Sequence, residues 1–405
     1  MSYPRFCQET IRESLKDTPI TIVTGARQTG KSTLVSIFSK STFTFDDWAT
    51  LHSAKADPEG FIQQALKNPW PIILDEIQHA PELFLSIKKA VDQNRQPGMF
   101  LLTGSANLLN WVQLPDSLAG RVEYINLYPL SLAEIMGHQT NWIDNLFKQE
   151  ISDVFSRSSS APSLDQVEQM ITKGGYPEAF KREQSSRREA WYASYVKTLI
   201  ERDILTLDTV ENPLNVHQLM MHLAISVGSL LNFTNLALKL QISLPTVRKY
   251  VHLLELLCLC YRLQPWHKNL GKRLIKTPKI YFNDTGILQH LVHLNPETQT
   301  GILMENFIFN ELQKQINWSE TKPQLYFWRT SNGREIDFLL EDRQGKIVGI
   351  EVKASATVTS SDFAHLKALQ EDIPQQFLAG YVVYKGENFL SFGQNLYAVP
   401  VTWLF

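Results

Sequence analysis

The stretch that decides the fold is Ile20-Thr21-Ile22-Val23-Thr24-Gly25-Ala26-Arg27-Gln28-Thr29-Gly30-Lys31-Ser32-Thr33-Leu34-Val35. An apolar run enters a glycine loop of the form G-x-x-x-x-G-K-[ST], and a helical pattern leaves it, so the order is strand, phosphate loop, helix. The glycines let the backbone wrap a polyphosphate, with the loop N–H groups pointing at it. The helix N-terminus turns its positive dipole end to the same place. Residues Gly25, Ala26, Arg27, Gln28, Thr29, Gly30, Lys31, Ser32 and Thr33 are therefore expected to hold ATP, Lys31 reaching the β- and γ-phosphates and Ser32 ligating Mg²⁺.

Hydrolysis needs in addition a carboxylate that orients the metal and a base for water. Pro71-Ile72-Ile73-Leu74-Asp75-Glu76 brings both to the end of an apolar strand. It follows Lys31 by about 45 residues, room for a helix, a strand and their connections in a doubly wound sheet. Asp75 would hold Mg²⁺ through its water shell, and Glu76 would polarise the attacking water. Alone, the pair would read as a solvated acidic turn; the phosphate loop upstream turns the reading to chemistry. A third strand, Met99-Phe100-Leu101-Leu102-Thr103-Gly104-Ser105-Ala106-Asn107, ends in polar residues. In ATPases of the AAA type a polar residue at this tip senses the γ-phosphate. Ser105 is the candidate, with Thr103 and Asn107 behind it, against the plainer reading of a Gly/Ser/Asn turn. Arg121 is either a phosphate-facing catalytic cation or a charge that opens a strand at residues 122–127.

A chain of 405 residues has room for two to four domains. Its net charge of −2 excludes a global basic field, so any nucleic-acid contact must come from local patches. The three cysteines, Cys7, Cys258 and Cys260, lack metal-cluster spacing and suit a reducing compartment. No apolar run reaches transmembrane length, and the first residues lack the apolar core of a signal peptide. The cytoplasm is the expected location, with no membrane partner.

Residues 156–163 read as a loop that closes the ATPase core. Residues 164–211 read as helical, with a turn at Gly174-Gly175-Tyr176-Pro177, and are expected to form a lid over the nucleotide. Arg202 there is either a trans-acting cation in an oligomer or a residue on a solvated helix face. Further on, Ser243 reads as an N-cap and Pro245 as an early position of a helix over residues 246–257. Together with the preceding short helices this is helix-turn-helix patterning, with Arg248 and Lys249 available to a major groove. Residues 262–279 then carry six Lys or Arg and no acid, among them Lys272, Arg273 and Lys276. Between two short strands this is a winged-helix layout whose wing would clasp DNA phosphates. Winged helices and wet basic loops that serve protein partners share the pattern.

The C-terminal part holds the second constellation. Asn332-Gly333 marks a hairpin between residues 325–329 and 335–340. Along Lys346-Ile347-Val348-Gly349-Ile350-Glu351-Val352-Lys353, alternate residues share a face, so Val348, Ile350 and Val352 point to a core while Glu351 and Lys353 point together the other way. Asp337, then 13 residues, then Glu-x-Lys is the spacing of the PD-(D/E)xK nuclease fold. Asp337 and Glu351 would hold Mg²⁺ or Mn²⁺, with Glu305 as a supporting acid on an upstream helix. The metal would activate water, and Lys353 would stabilise charge on the phosphate. The plain alternative is a surface ion pair worth little.

The ordered set resembles the bacterial and archaeal AAA-type ATPases that carry a C-terminal PD-(D/E)xK-superfamily domain of unknown function. The residues that carry the resemblance are 25–33, Leu74-Asp75-Glu76, Leu102-Thr103-Gly104-Ser105, Ala119-Gly120-Arg121-Val122, Gly174-Gly175-Tyr176-Pro177, Glu201-Arg202-Asp203, Met304-Glu305-Asn306, Gly333-Arg334-Glu335-Ile336-Asp337-Phe338 and Glu351-Val352-Lys353. It implies an α/β chain in four parts: a P-loop core (1–157), a helical lid (164–211), a winged helix (212–290) and a nuclease-like α/β domain (296–405). The expected function is Mg²⁺-dependent ATP hydrolysis coupled to DNA contact and metal-dependent DNA cleavage. The alternative is a nucleotide-controlled switch whose last two domains bind DNA or protein without cutting. A small-molecule kinase is disfavoured, because Asp75-Glu76 suits water activation and no separate acceptor site is evident.

Overall fold

The computed structural model describes residues 3–39, 41–105, 118–148, 161–204, 212–268, 277–292 and 300–405, with the side chains of 202–204 and 300 left aside. The chain divides into two compact units. Pro4–Pro129 with Leu256–Cys258 form one, and Leu130–Glu255 with Leu259–Phe405 make up nearly all of the other.

The first unit is built on five strands: β1 (Ile20–Thr24), β2 (Thr42–Thr44), β3 (Ile72–Asp75), β4 (Phe100–Thr103) and β5 (Val122–Asn126). They lie in the order β2-β3-β4-β1-β5, every pairing parallel. β1, β3 and β4 are buried at every position, which is why they read as unbroken apolar runs and not as alternation. The period of two still sorts the side chains. Ile22, Leu74 and Leu102 pack with Phe84, Ile87 and Val91 of the helix Leu83–Gln93. Val23, Ile73 and Leu101 pack with Ile11 and Leu34. A parallel sheet brings all C-terminal strand ends to one edge, and the strand order sets the tip of β4 between the loop after β1 and the acids after β3. Gly25 (φ +148°) is required in that loop, because a Cβ there would lie 2.2 Å from the Leu127 carbonyl oxygen.

The second unit opens with helices Leu132–Met136, Trp142–Leu146, Leu164–Lys173, Pro177–Phe180 and Ser185–Thr198. Gly174 (φ +73°) makes the expected turn, where a Cβ would strike both Asp284 and Tyr192 at 2.4 Å. Buried Asp284 accepts the Gly175 N–H at 2.6 Å and the Tyr192 hydroxyl at 3.1 Å. Helices Pro213–Ile225, Phe233–Leu240 and Leu244–Leu256 follow, then the antiparallel pair β6 (Cys260–Leu263) and β7 (Lys279–Phe282). Ser243 caps the third of these helices, its Oγ accepting the Thr246 N–H at 3.2 Å.

The remainder is the helix Thr300–Trp318, the strands β8 (Gln324–Arg329), β9 (Glu335–Glu341) and β10 (Ile347–Lys353), the helix Ala364–Asp372, and β11 (Phe377–Tyr384), β12 (Leu390–Gly393) and β13 (Leu396–Pro400). The sheet order is β12-β13-β11-β10-β9-β8, with β10 antiparallel to β9 and parallel to β11. The Asn332-Gly333 turn joins β8 to β9, with Gly333 at φ +86°. β10 is buried from Ile347 through Glu351, so both its faces are covered. Glu351 is only 5% exposed, so the plain alternative of a surface ion pair does not describe it.

Candidate functional sites

At the C-terminal edge of the parallel sheet, Asp75 collects hydroxyls from three other elements. Ser32 Oγ donates to its Oδ1 at 2.9 Å, Thr103 Oγ1 donates to the same oxygen at 2.5 Å, and Thr44 Oγ1 donates to Oδ2 at 3.4 Å. Lys31 is buried and its Nζ donates to the Gly25 and Ala26 carbonyls at 3.2 and 3.0 Å. Thr29 Oγ1 also donates to the Ala26 carbonyl, at 2.9 Å, and fixes the turn with Gln28 and Gly30 at φ +65° and +95°. Burial lowers the Lys31 ammonium below its ordinary value, with the nearby Glu76 charge the largest force opposing it.

Glu76 lies at φ +55°, ψ +45°, a left-handed conformation that non-glycine residues rarely adopt. Its N–H donates to Thr103 Oγ1 at 3.0 Å. Gln78, which sequence reasoning missed, has a buried side chain that links two expected site residues. Its Nε2 donates to the Glu76 carboxylate, and its Oε1 accepts the Ser105 N–H at 3.3 Å. The only sequence cue was a polar residue two places after Glu76, and the 3₁₀ turn Ile77–His79 is what folds it back on that carboxylate. Thr103, ranked behind Ser105, is the tip residue that touches Asp75, and Asn107 lies outside the described residues.

Arg121 sits elsewhere. Its carbonyl accepts the Ile20 N–H at the start of β1, the opposite edge of the sheet from the phosphate loop. Its guanidinium pairs with Asp92 at 2.6 Å. That is the position of a charge opening β5, not of a cation facing phosphate.

In the second unit, Arg248 and Lys249 are exposed on the helix Leu244–Leu256, and Arg248 stacks over Phe233 at 5.4 Å. Lys272, Arg273 and Lys276 lie outside the described residues. The two cations that end the basic run lie in the paired strands that flank it, Arg262 half-buried and Lys279 buried. Arg262 pairs with Glu255 at 2.6 Å, and Lys279 is 1% exposed. The strand register Leu263↔Lys279 explains this, since it draws both ends of the run into paired strands.

The expected C-terminal acids do come together, around that lysine. Lys279 Nζ lies 2.5 Å from Glu335, 3.6 Å from Glu305 and 3.8 Å from Asp337. The Tyr281 hydroxyl donates to Glu305 at 2.6 Å, and the Val352 N–H donates to Asp337 at 2.9 Å. His365 Nδ1 stands 3.5 Å from Glu351. Burial first, and the Asp337 charge second, push Glu305 up to about 7 and Glu351 well above the carboxylate range. Lys353 is close enough to oppose the shift at Glu351. Among the described residues, no group of three or more His, Cys, Asp and Glu has the geometry to hold a metal ion. Nor is any helix there long and apolar enough to cross a membrane.

Residues 17–136 match the family model described as an AAA domain. Residues 164–298 and 300–404 match models described as domains of unknown function, DUF8612 and DUF4143. An uncharacterized protein of Mycobacterium tuberculosis is 29% identical over 400 residues, covering 96% of this chain and 82% of the relative. One from Haemophilus influenzae is 24% identical over 409 residues, covering 94% and 93%. Among solved structures, a Walker-type ATPase of Pyrococcus abyssi aligns with TM-score 0.43 and 15% identity over 70% of this chain and 94% of its own. The Orc1 protein of Aeropyrum pernix, solved in complex with DNA, aligns with TM-score 0.26 and 11% identity over 74% and 93%. The chain thus carries an AAA-type, ATPase-like domain: family model, phosphate loop and parallel sheet agree.

Proposed function

We propose that this chain is a Mg²⁺-dependent ATPase whose nucleotide state controls contact with DNA. One observation carries the ATPase reading: Asp75 receives the Ser32 hydroxyl from the phosphate loop and the Thr103 hydroxyl from β4. Hard oxygen donors from the expected metal-binding positions therefore converge at one point, which suits Mg²⁺. Ser32 and Asp75 would hold the ion, which when bound neutralises charge on the β- and γ-phosphates. The loop N–H groups and Lys31 bind the polyphosphate, Glu76 accepts the proton of the attacking water, and Gln78 orients the Glu76 carboxylate. Thr103 ties the metal-side acid to the neighbouring base through one hydroxyl.

Three helices followed by an antiparallel strand pair, with Arg248 and Lys249 exposed on the third helix, support a winged-helix contact with DNA. For the C-terminal domain, Lys279 among the acids favours the reading in which it takes part in binding without cutting. The protein is proposed to work in the cytoplasm, in keeping with cysteines that form no disulfide among the described residues.

The test is ATP turnover with Mg²⁺ and with EDTA, together with duplex-DNA binding at several salt concentrations in ATP and in ADP. Metal-dependent turnover and a nucleotide-dependent DNA affinity that falls steeply with salt are expected. Absence of turnover would overturn the ATPase reading. DNA affinity equal in both nucleotides would overturn the coupling.

A further inference from the structure

The C-terminal acids have the order and spacing of a metal-dependent nuclease, yet what they surround is an ammonium group. Lys279 is 1% exposed, and three carboxylates from two elements converge on it: Glu305 from the helix Thr300–Trp318, and Glu335 and Asp337 from β9. Glu335 and Asp337 have both oxygens engaged, and the other two acids have a further partner each. Glu335 is shared with Arg329 at 2.6 Å, Glu305 takes the Tyr281 hydroxyl, Asp337 takes the Val352 N–H, and Glu351 faces His365. The backbone of Lys279 is fixed at this position. Its backbone pairs with Leu263 across β6–β7 and bridges to Leu230, and its ammonium lies 5.6 Å from the Phe327 ring.

A divalent ion needs several oxygens within about 2.0–2.6 Å, free of competing cations. Here two of the expected ligands, Glu305 and Asp337, already share a buried positive charge. An added ion would have to displace that charge into an apolar surrounding or sit beside it in low dielectric, and both are unfavourable.

We infer that Lys279 is the resident cation of this cluster, standing in place of Mg²⁺ or Mn²⁺, so that the C-terminal domain holds its acids together without binding a divalent ion. The inference rests on the reading of that domain as one that binds without cutting, and it explains why a nuclease-like arrangement would lack cleavage. It also separates the two acid sites of the chain: one recruits its cation, the other carries it in the sequence.

The test measures Mn²⁺ binding to the full chain without nucleotide, by electron paramagnetic resonance, with Asp75→Asn removing the first site. Asp75→Asn should bind no Mn²⁺ at a defined site, and adding Asp337→Asn should change nothing. Asp75→Asn with Lys279→Met should gain one Mn²⁺ per chain, at least tenfold tighter than Asp75→Asn alone, and lose it again when Asp337→Asn is added. Defined Mn²⁺ binding by Asp75→Asn that disappears with Asp337→Asn would overturn the inference, and this comparison stands even where Lys279→Met does not fold. A folded Lys279→Met chain without the gain would overturn it too. Mn²⁺ at Asp337 without DNA nicking would leave the non-cleaving reading in place, whereas nicking lost in Asp337→Ala would remove both. ATP turnover of the wild-type chain, measured alongside, reports on the ATPase reading independently.

Discussion

Asp75 and Asp337 are both strand-borne acids that the sequence marks as metal ligands, and they are furnished in opposite ways. Around Asp75 the partners are hydroxyls, from Ser32, Thr44 and Thr103, which can turn their lone pairs to an ion. Around Asp337 the nearest cation is Lys279, carried on a paired strand and shared there with Glu305 and Glu335. A carboxylate motif names the ligands of a site, whereas its neighbours decide whether an ion enters. That lesson matters most where charge is buried, because each added or missing charge there costs far more than at the surface.

The largest effect expected on the first side of this contrast is from Lys31→Ala. It removes the buried ammonium proposed to bind phosphate and should weaken ATP binding by about 100-fold, measured by titration calorimetry. Retained affinity would mean that the loop amides alone carry the polyphosphate. Next comes Gln78→Ala, which leaves Asp75 and its hydroxyls untouched but frees the Glu76 carboxylate. We expect kcat to fall by about tenfold with KM for ATP unchanged. An unaltered kcat would reduce Gln78 to a structural residue. The exchange of Arg248 and Lys249 for Gln should then lower the slope of DNA affinity against salt by about two, near one per phosphate contact. A constant slope would take that helix away from DNA. The smallest effect belongs to Arg121→Ala. It breaks a partly exposed ion pair with Asp92 and should cost no more than about 1 kcal/mol in denaturant unfolding, with ATP turnover intact. A collapse of turnover would restore Arg121 to the active site.

Much of the first unit was legible because its signals are local. The run Ile20–Thr24 and the loop after it depend on residues adjacent in sequence, and Ser243 and Asn332-Gly333 likewise act on their own backbone. What escaped reading depends on long-range register. Lys279 belongs to a run of basic residues that looks like a solvated loop until pairing with Leu263 buries it. The burial of Glu351 is set by β11 and the helix Ala364–Asp372, elements distant in sequence from the Glu-x-Lys motif. For Arg121 the strand order decides between its two readings, because it opens β5 at the edge of the sheet away from the phosphate loop. Thr103 outranks Ser105 because the strand order sets β4 against β3, which composition cannot reveal.

The proposed ATPase stands or falls with Asp75 and Glu76. It is tested most directly by single-turnover hydrolysis of labelled ATP in wild type and Glu76→Gln, with Mg²⁺ present and binding measured on the same samples. Unchanged ATP affinity with hydrolysis slowed by about 10²- to 10⁴-fold is the predicted result, since the metal site survives and only the base is lost. Hydrolysis by Glu76→Gln at the wild-type rate would contradict it.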